Sequence, residues 1–259
     1  MSSLFELTGR VALVTGAGGE TGIGFASARL LGVLGAKVVV SSTSARIEQR
    51  ARELRDEGIE ALGTIADLTD SMQAQALVDE SLAAFGRLDI VVNNAGMTSV
   101  TDPVDSAGGI DMSDDQWHAG IARNLDTAYF VTRAAWSQMV GAGFGRVVNV
   151  ASITGPVMAM RAEPVYAAAK AGMVGLTRAL ALEGAESGIT VNAVCPGWIA
   201  TGSQNEHERL QGERTPMRRS ANPDEVASAV VWLATPGASY ITGQCVVVDG
   251  GNSIAEERS

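Results

Sequence analysis

Residues 10–24 read RVALVTGAGGETGIG, an apolar run followed by a glycine-rich segment. Short Val-rich runs are typical of buried strands, and the apolar residues after Gly24 have helical spacing, so the glycines lie where a strand passes into a helix. Glycine lets the backbone approach a phosphate closely, and the free N–H groups of a helix N-terminus favour its negative charge. The stretch therefore predicts a phosphate-binding turn, although such a segment is about as often a plain structural turn.

The glycines are not spaced as in the usual nucleotide-binding fingerprint. The strand fits best if Thr15 and Gly16 end it, which leaves two extra residues before Gly22, most naturally Glu20 and Thr21. An inward carboxylate would repel a pyrophosphate, so we expect Glu20 to face solvent or to cap a neighbouring amide.

Apolar runs and helical segments alternate along the rest of the chain. The predicted strands are 11–14, 37–41, 61–66, 88–92, 145–150, 189–194 and 244–248, and the predicted helices are 24–34, 46–57, 71–85, 115–140, 165–186 and 223–234. Continuous apolar strands are typical of sheets that helices cover on both faces. We therefore predict an α/β fold, a doubly wound Rossmann-type parallel sheet with helices on both faces, in a single domain over residues 1–259.

The amino-acid composition argues against several classes of binding partner. The formal charge is −10 and no Lys/Arg run occurs, so we expect neither nucleic acid nor a membrane surface as a partner. Cys195 and Cys245 have no other Cys or His at metal-ligand spacing, so we expect no metal site and a reducing, cytoplasmic setting. We find neither an export signal nor an apolar run of membrane-spanning length.

A second cluster concerns catalysis. Tyr166 and Lys170 are four residues apart in a predicted helix, so their side chains lie on one face. Ser152 stands fourteen residues before Tyr166, at the end of the fifth predicted strand, and residues 93–96 follow the fourth. Ligands of such sheets bind beyond the carboxyl ends of the strands, so these residues are expected at one site.

Together, these stretches resemble the compact, single-domain branch of the short-chain dehydrogenase/reductase family, which includes 3-oxoacyl reductases. The matching segments follow the family's order and are residues 11–16, 22–24, 67–68, 93–96, 124–125, 148–152, 166–170, 191–197, 201, 240–244 and 248–251. The resemblance implies an NAD(P)-dependent oxidoreductase that transfers a hydride between a nicotinamide cofactor and a ketone or secondary alcohol. The alternatives are a catalytically silent, nucleotide-sensing or regulatory protein of this fold, and a subunit that only completes an oligomer.

The resemblance also implies four catalytic roles. Tyr166 would be the general acid/base, and Lys170 would bind the nicotinamide ribose. The Lys170 ammonium, together with the charge of an oxidised nicotinamide, would lower the phenol pKa from ~10 toward ~7. Ser152 would orient the substrate oxygen, and Asn124 would hold a water that links Lys170 to solvent. A helix cap or kink at Asn124 and a strand-end turn at Ser152 are the structural alternatives.

The resemblance to this family also implies which residues contact the cofactor. They are Gly16, Gly22, Ile23, Gly24, Ser42, Thr43, Arg46, Asp67, Leu68, Asn94, Ala95, Gly96, Tyr166, Lys170, Pro196, Gly197, Ile199 and Thr201. Ser42 occupies the position where an acid would select NAD, and Thr43 and Arg46 suit a 2'-phosphate, so NADP is favoured over NAD. The alternative is that these residues cap the next helix and that Arg46 is only solvated.

Two segments, about 97–115 and 202–222, are expected to shape the substrate pocket. Met158, Met160, Trp198 and Met217 are candidates for its apolar walls. Residues 139–145 and 181–188 contain no basic side chain, which disfavours a substrate on an acidic carrier protein and favours a free ketone, keto-acid, sugar or secondary alcohol.

Assembly is predicted from two helical stretches. The segments 165–183 and 126–140 are apolar nearly all round, so each needs a cover besides the sheet. Relatives of the resembled family form homotetramers through these helices, and we expect a homotetramer here, with a well-covered monomer as the alternative.

Overall fold

A computed structural model describes residues 4–96 and 108–256. The strands are β1 (Val11–Val14), β2 (Lys37–Ser42), β3 (Ala61–Ile65), β4 (Ile90–Asn93), β5 (Gly145–Val150), β6 (Ile189–Pro196) and β7 (Cys245–Val248). They form one seven-stranded sheet in the order β3-β2-β1-β4-β5-β6-β7, and every neighbouring pair is parallel. The predicted doubly wound parallel sheet is confirmed.

Helices cover both faces of this sheet. They are α1 (Ile23–Val33), α2 (Arg46–Asp56), α3 (Ser71–Phe85), α4 (Asp114–Ile121), α5 (Thr127–Ala142), α6 (Pro164–Gly184), α7 (Glu206–Glu213) and α8 (Pro223–Ala234). Alternate strand residues enter two cores: Val14 packs with α1, α2 and α8, and Leu13 packs with α3, α5 and α6. Both faces of each central strand are therefore buried, which explains the continuous apolar runs. Within the described residues, no helix is long and apolar enough to cross a membrane.

Two helical segments differ from the prediction. The helix predicted at 115–140 is divided, because a π-helical turn over Ala122–Asp126 separates α4 from α5. The segment 202–222, expected to shape the substrate pocket and not predicted to be helical, contains α7, which begins with a capping box between Asn205 and Glu208. A short helix with few apolar residues gives little periodic signal, so capping rather than periodicity marks its start.

The sheet order creates a crevice between β1 and β4. The chain builds β1, β2 and β3 toward one edge and then returns to β1 on its other side with β4. Asn94, just after β4, closes the floor of this crevice, since its Nδ2 donates to the carbonyl oxygens of Thr15 (3.1 Å) and Gly16 (3.0 Å). Such switch points are where ligands bind in open α/β sheets. Of the predicted substrate segment 97–115, residues 97–107 lie outside the described part of the chain.

Candidate active site

The glycine-rich turn joins β1 to α1 and has room for an anion. Gly16 has a φ of +66°, and a Cβ there would lie 2.8 Å from the Ala95 Cα, so a side chain is excluded. The N-cap of α1, Gly22, provides no side chain to occupy the first amides, and the first turn contains no acidic residue. A helix start of this kind suits the pyrophosphate of a dinucleotide.

The extra residues of this turn, Glu20 and Thr21, lie at its tip and border the cavity beside it. The Gly22 N–H donates to the Gly19 carbonyl (3.1 Å), which leaves Glu20 and Thr21 at the tip of a tight turn. The Glu20 side chain is 78% exposed and lies 3.6 Å from the Arg50 guanidinium, so it faces solvent as predicted. Thr21 contacts the segment after β6, since a Cβ on Gly202 would lie 2.8 Å from the Thr21 hydroxyl.

A cavity of about 760 Å³ runs from this turn along the carboxyl edge of the sheet. The predicted residues that line it are Gly16, Gly22, Ile23, Ser42, Thr43, Arg46, Asp67, Leu68, Asn94, Ala95, Gly96, Ser152, Tyr166, Lys170, Pro196, Gly197, Ile199 and Thr201. Gly24 and Asn124 lie behind its wall instead. Among the described residues, no group of three or more His, Cys, Asp or Glu side chains is placed to hold a metal ion.

Gly24 packs closely against the floor of the crevice, and its predicted cofactor contact stays a prediction. A Cβ at this position would lie 2.5 Å from the Asn94 Nδ2 and 2.8 Å from the Gly16 carbonyl oxygen. The absence of a side chain lets α1 approach the ends of β1 and β4, which places the start of α1 at the crevice.

Three of the four predicted catalytic side chains meet at the far end of the cavity. The Ser152 hydroxyl lies close enough to the Tyr166 phenol to favour its ionised form, and its Oγ accepts from the Thr154 N–H at 3.1 Å. The Lys170 Nζ lies 5.6 Å from the centre of the Tyr166 ring and donates to the Val150 carbonyl at 2.9 Å. The end of β5 and the first two turns of α6 therefore place these groups together.

Asn124 lies in the π-helical turn, directly behind Lys170. It is buried, and its Nδ2 donates to the Gly120 carbonyl at 3.0 Å. A Cβ on Gly96 would lie 2.9 Å from the Asn124 Oδ1 and 3.5 Å from the Lys170 Nζ, so the two side chains meet beside Gly96. The π-helical turn therefore places Asn124 at the junction of α4 and α5, beside Gly96.

Burial dominates the ionisation of this group. Burial raises the pKa of Tyr166 to about 12, against the hydrogen bond from Ser152, and the charges of Glu163 and Glu208 raise it further. Burial also lowers the pKa of Lys170 to about 8. Lys170 is not among the groups that shift the phenol pKa, and its ammonium is directed at a backbone carbonyl. The lowering of the phenol pKa by Lys170 together with an oxidised nicotinamide stays a prediction.

The end of β2 forms the opposite end of the cavity. The Ser42 hydroxyl donates to the Ser44 carbonyl at 3.0 Å, and the Arg46 Nε donates to the Ser44 hydroxyl at 3.4 Å. Ala45 is the N-cap of α2, and its own side chain makes no capping hydrogen bond. Arg46 is exposed at the cavity edge.

Near Tyr166 the cavity has a wall that the sequence only partly indicated. Met160 and Trp198 line it as predicted, whereas Met158 packs into a core cluster below β5 and β6 and Met217 is 60% exposed. Two carboxylates that the sequence did not single out also line it, Glu163 at the N-cap of α6 and Glu208 in the first turn of α7. The sequence did not indicate Glu208 because it did not reveal the start of α7, where the capping box fixes the Glu208 carboxylate.

Comparison with known proteins agrees with this geometry. A family model described as enoyl-(acyl carrier protein) reductase matches residues 16–253. Oxidoreductase UcpA of Escherichia coli K12 is 37% identical over 97% of both chains. The chain belongs to the short-chain dehydrogenase/reductase family. The 3-oxoacyl-[acyl-carrier-protein] reductase FabG of Pseudomonas aeruginosa is 40% identical over 95% of this chain and 98% of that protein. A dehydrogenase/reductase crystal structure from Sinorhizobium meliloti superimposes with a TM-score of 0.87 at 28% identity, covering 97% of both chains.

As a short-chain dehydrogenase/reductase, the protein is an NAD(P)-dependent oxidoreductase that acts on ketone or CH–OH groups. The residues present fit a dinucleotide, because the uncapped start of α1, the side-chain-free approach at Gly16 and the length of the cavity agree with one another. Bound there, the nicotinamide supplies or accepts the hydride.

Proposed function

We propose that the protein interconverts a free ketone and the corresponding secondary alcohol with NADP(H), and that Tyr166 is the general acid/base. The observation that supports this most directly is the contact of the Tyr166 phenol with the Ser152 hydroxyl at the end of the cavity. A phenol and a second hydroxyl on one side of a cavity can both bind a substrate oxygen. Proton transfer to that oxygen is the step that hydride transfer to a ketone requires.

In the reducing direction, the Tyr166 phenol donates its proton to the carbonyl oxygen as negative charge develops there. Its pKa of about 12 keeps the phenol protonated at neutral pH, which suits a proton donor. The Ser152 hydroxyl donates a hydrogen bond to the same oxygen, and the Thr154 N–H holds the Ser152 Oγ in place. Lys170 stabilises the phenolate that remains. Asn124 holds a water that links Lys170 to solvent.

NADP is favoured by the side chains at the end of β2. Ser42, Thr43 and Ser44 bring no carboxylate to the ribose end of the cavity, and Arg46 lies exposed at its edge. A guanidinium there can form charge-assisted hydrogen bonds with a 2'-phosphate. An acidic side chain in place of Ser42 would repel that phosphate.

Glu163 and Glu208 favour an uncharged substrate. Both line the cavity near Tyr166, and both act on the phenol through their negative charge. A substrate carboxylate beside them would be repelled, and the energy of such a contact is about 1–4 kcal/mol at 4 Å between the dielectric of water and that of a protein surface. We therefore place a neutral ketone, sugar or secondary alcohol ahead of a keto-acid or a carrier-bound acyl chain.

The proposal includes the organisation of the chain. Residues 1–259 act as one domain, and the segments 97–115 and 202–222 border the substrate. A homotetramer through α5 and α6 is supported by exposed apolar residues on these helices, Tyr129 (41% exposed) and Leu182 (81% exposed). Light scattering on the purified protein measures the assembly. The cytoplasmic location stays a prediction from the sequence.

A substrate panel tests the function. The protein is mixed with NADPH or NADH and with neutral ketones, keto-sugars, keto-acids and acyl thioesters, and the absorbance of the reduced nicotinamide is followed. We expect turnover with NADPH and a neutral ketone. Dinucleotide binding without turnover across the panel would instead support the nucleotide-sensing alternative, and calorimetry with NADPH distinguishes the two.

A further inference from the structure

The two cysteines of the chain face each other across the last two strands. In the parallel pairing of β6 with β7, Cys195 lies opposite Val247, and Cys245 is two residues before Val247. Residues two apart in a strand point to the same face of the sheet, so both thiols lie on one face. Their sulfur atoms are 2.6 Å apart, and both cysteines are free thiols.

The two thiols differ in their surroundings. Cys195 is fully buried in a core cluster with Ile153 and Met173. Ser152 lies beside it at the end of β5, since the Ala151 and Ile153 N–H groups donate to the Val194 and Pro196 carbonyls on either side of Cys195. Cys245 is only partly buried and belongs to β7, the edge strand of the described sheet. A small solute can therefore reach Cys245 from the sheet edge, while Cys195 lies directly beneath the proposed catalytic Ser152.

We propose that Cys195 and Cys245 are a dithiol that a hydroperoxide oxidises to an intramolecular disulfide, and that this disulfide slows the reaction at Ser152. The formation of the disulfide is inferred from the contact between the two sulfurs and from the register of β6 and β7. The effect on rate rests also on the proposed role of Ser152. A disulfide requires sulfurs at about 2.05 Å, so the pair has roughly 0.5 Å to close.

Cys245 is the attacking sulfur. The hydrogen bond between the two sulfurs and the positive charge of Arg178 lower the pKa of Cys245 to about 7, while burial opposes the shift. The same hydrogen bond and burial raise the pKa of Cys195, which therefore stays a thiol. A thiolate is the nucleophilic form of cysteine, so oxidation begins at the more accessible residue.

The chemistry is balanced with hydrogen peroxide as the oxidant. The Cys245 thiolate attacks one peroxide oxygen, the O–O bond breaks, and the leaving hydroxide takes a proton to become water, which leaves a sulfenic acid. The Cys195 sulfur then attacks the Cys245 sulfur, the S–O bond breaks, and the departing hydroxide takes the Cys195 proton as a second water. Two thiols lose two electrons in total, and one peroxide is reduced to two waters.

Closure of this disulfide changes the floor of the active site. It draws the Cys195 Sγ toward β7, away from the segment around Ser152, whose neighbours Ala151 and Ile153 hydrogen-bond to the Val194 and Pro196 carbonyls. Pro196 follows Cys195 and lines the cavity, so the shift reaches both sides of the substrate. A displacement of 1 Å at a catalytic group can cost ~10²-fold in rate, and for this smaller shift we expect a loss of about 3- to 10-fold.

The first test uses mass spectrometry and does not depend on the substrate. The full-length protein is treated with hydrogen peroxide, denatured, and alkylated. We expect a species about 2 Da lighter than the dithiol that takes up no alkyl group, contains a cross-linked Cys195–Cys245 peptide, and reverts with dithiothreitol. Recovery of both residues alkylated, or of a cross-link only between two chains, would overturn the proposal.

Two variants assign the roles. With Cys195→Ser, a dimedone adduct should form at Cys245, whereas with Cys245→Ser the buried Cys195 should give none. The reverse labelling would overturn the assignment of Cys245 as the attacking sulfur.

The turnover of the wild type should fall on oxidation and recover with dithiothreitol, and the turnover of Cys195→Ser should show no dithiothreitol-reversible loss of this size. A disulfide that forms without changing turnover would refute the link to Ser152 and leave the proposed oxidoreductase function intact.

Discussion

The Lys170 ammonium lies 5.6 Å from the centre of the Tyr166 ring and donates its hydrogen bond to the Val150 carbonyl, not to the phenol. The amine therefore lies beside the tyrosine ring, while its hydrogen bond is made to the end of β5. Since both residues lie on α6, one turn apart, and Val150 ends β5, the contact between this strand and helix sets the distance. The proton chemistry of the site depends on that packing.

Removal of the Tyr166 hydroxyl should stop the proton transfer and leave the rest of the cavity in place. For Tyr166→Phe we expect kcat to fall by about 10²- to 10⁴-fold, the usual contribution of a general acid, while NADPH affinity changes little. Tyr240→Phe is the matched control because Tyr240 is fully exposed. Steady-state rates and calorimetric titration measure the two quantities. Equal rates for Tyr166→Phe and the wild type would rule out the assignment.

Lys170 should make stability depend on pH. Its pKa is lowered to about 8 from 10.5, so the unfolded chain binds more protons than the folded one between these values. Stability from this group therefore rises with pH across that window, and Lys170→Met removes the rise. The raised pKa of Tyr166 makes stability fall as pH rises, but only above the ordinary phenol pKa of 10. Between pH 8 and pH 10 we expect the wild type to gain about 1–3 kcal/mol over the variant.

Urea unfolding at pH 7, 8, 9 and 10 measures this difference. Lys37→Met is the control, because the Lys37 side chain is 40% exposed. If the unfolding free energies of the wild type and Lys170→Met differ by the same amount at every pH, then Lys170 does not titrate in this range.

The sequence predicted the sheet and most of the site because these depend on local patterns. Continuous Val-rich runs follow from burial on both faces, and the spacing from Tyr166 to Lys170 places both on one side of α6. The role of Gly24 was not visible, since it depends on how closely α1 approaches Asn94. The raised pKa of Tyr166 was missed for a similar reason, because burial and the charge of Glu208 come from segments distant in sequence.

Arg46 should distinguish the two dinucleotides. A charge-assisted hydrogen bond contributes about 1.5–3 kcal/mol, so Arg46→Ala should weaken NADPH binding by roughly 10-fold or more and leave NADH binding unchanged. Arg52→Ala is the matched control, as Arg52 is another exposed arginine of α2 that does not line the cavity. Calorimetric titration with both cofactors is the measurement. Tighter binding of NADH than NADPH to the wild type would contradict the proposed preference.

Neutralising Glu208 should change which substrates are accepted. Loss of its charge removes repulsion of a substrate carboxylate, so the kcat/KM of Glu208→Gln for a keto-acid, relative to that for a neutral ketone, should rise about 3- to 10-fold. Glu206→Gln is the control, since Glu206 lies in the same turn of α7, is exposed and does not line the cavity. An unchanged ratio in Glu208→Gln would show that the carboxylate does not face the substrate.

Gly24 and Gly141 should respond oppositely to the same added methyl group. At Gly24 the new Cβ would lie 2.5 Å from the Asn94 Nδ2 and 2.8 Å from the Gly16 carbonyl oxygen, so backbone or the Asn94 bridge to β1 must move. Gly24→Ala should therefore lose about 1–3 kcal/mol of stability and weaken NADPH binding. Gly141 lies in α5 with no atom within 4 Å of a new Cβ, so Gly141→Ala should gain about 0.5–1 kcal/mol. Urea unfolding compares the two, and a gain in both variants would show that α1 does not depend on close contact at the crevice.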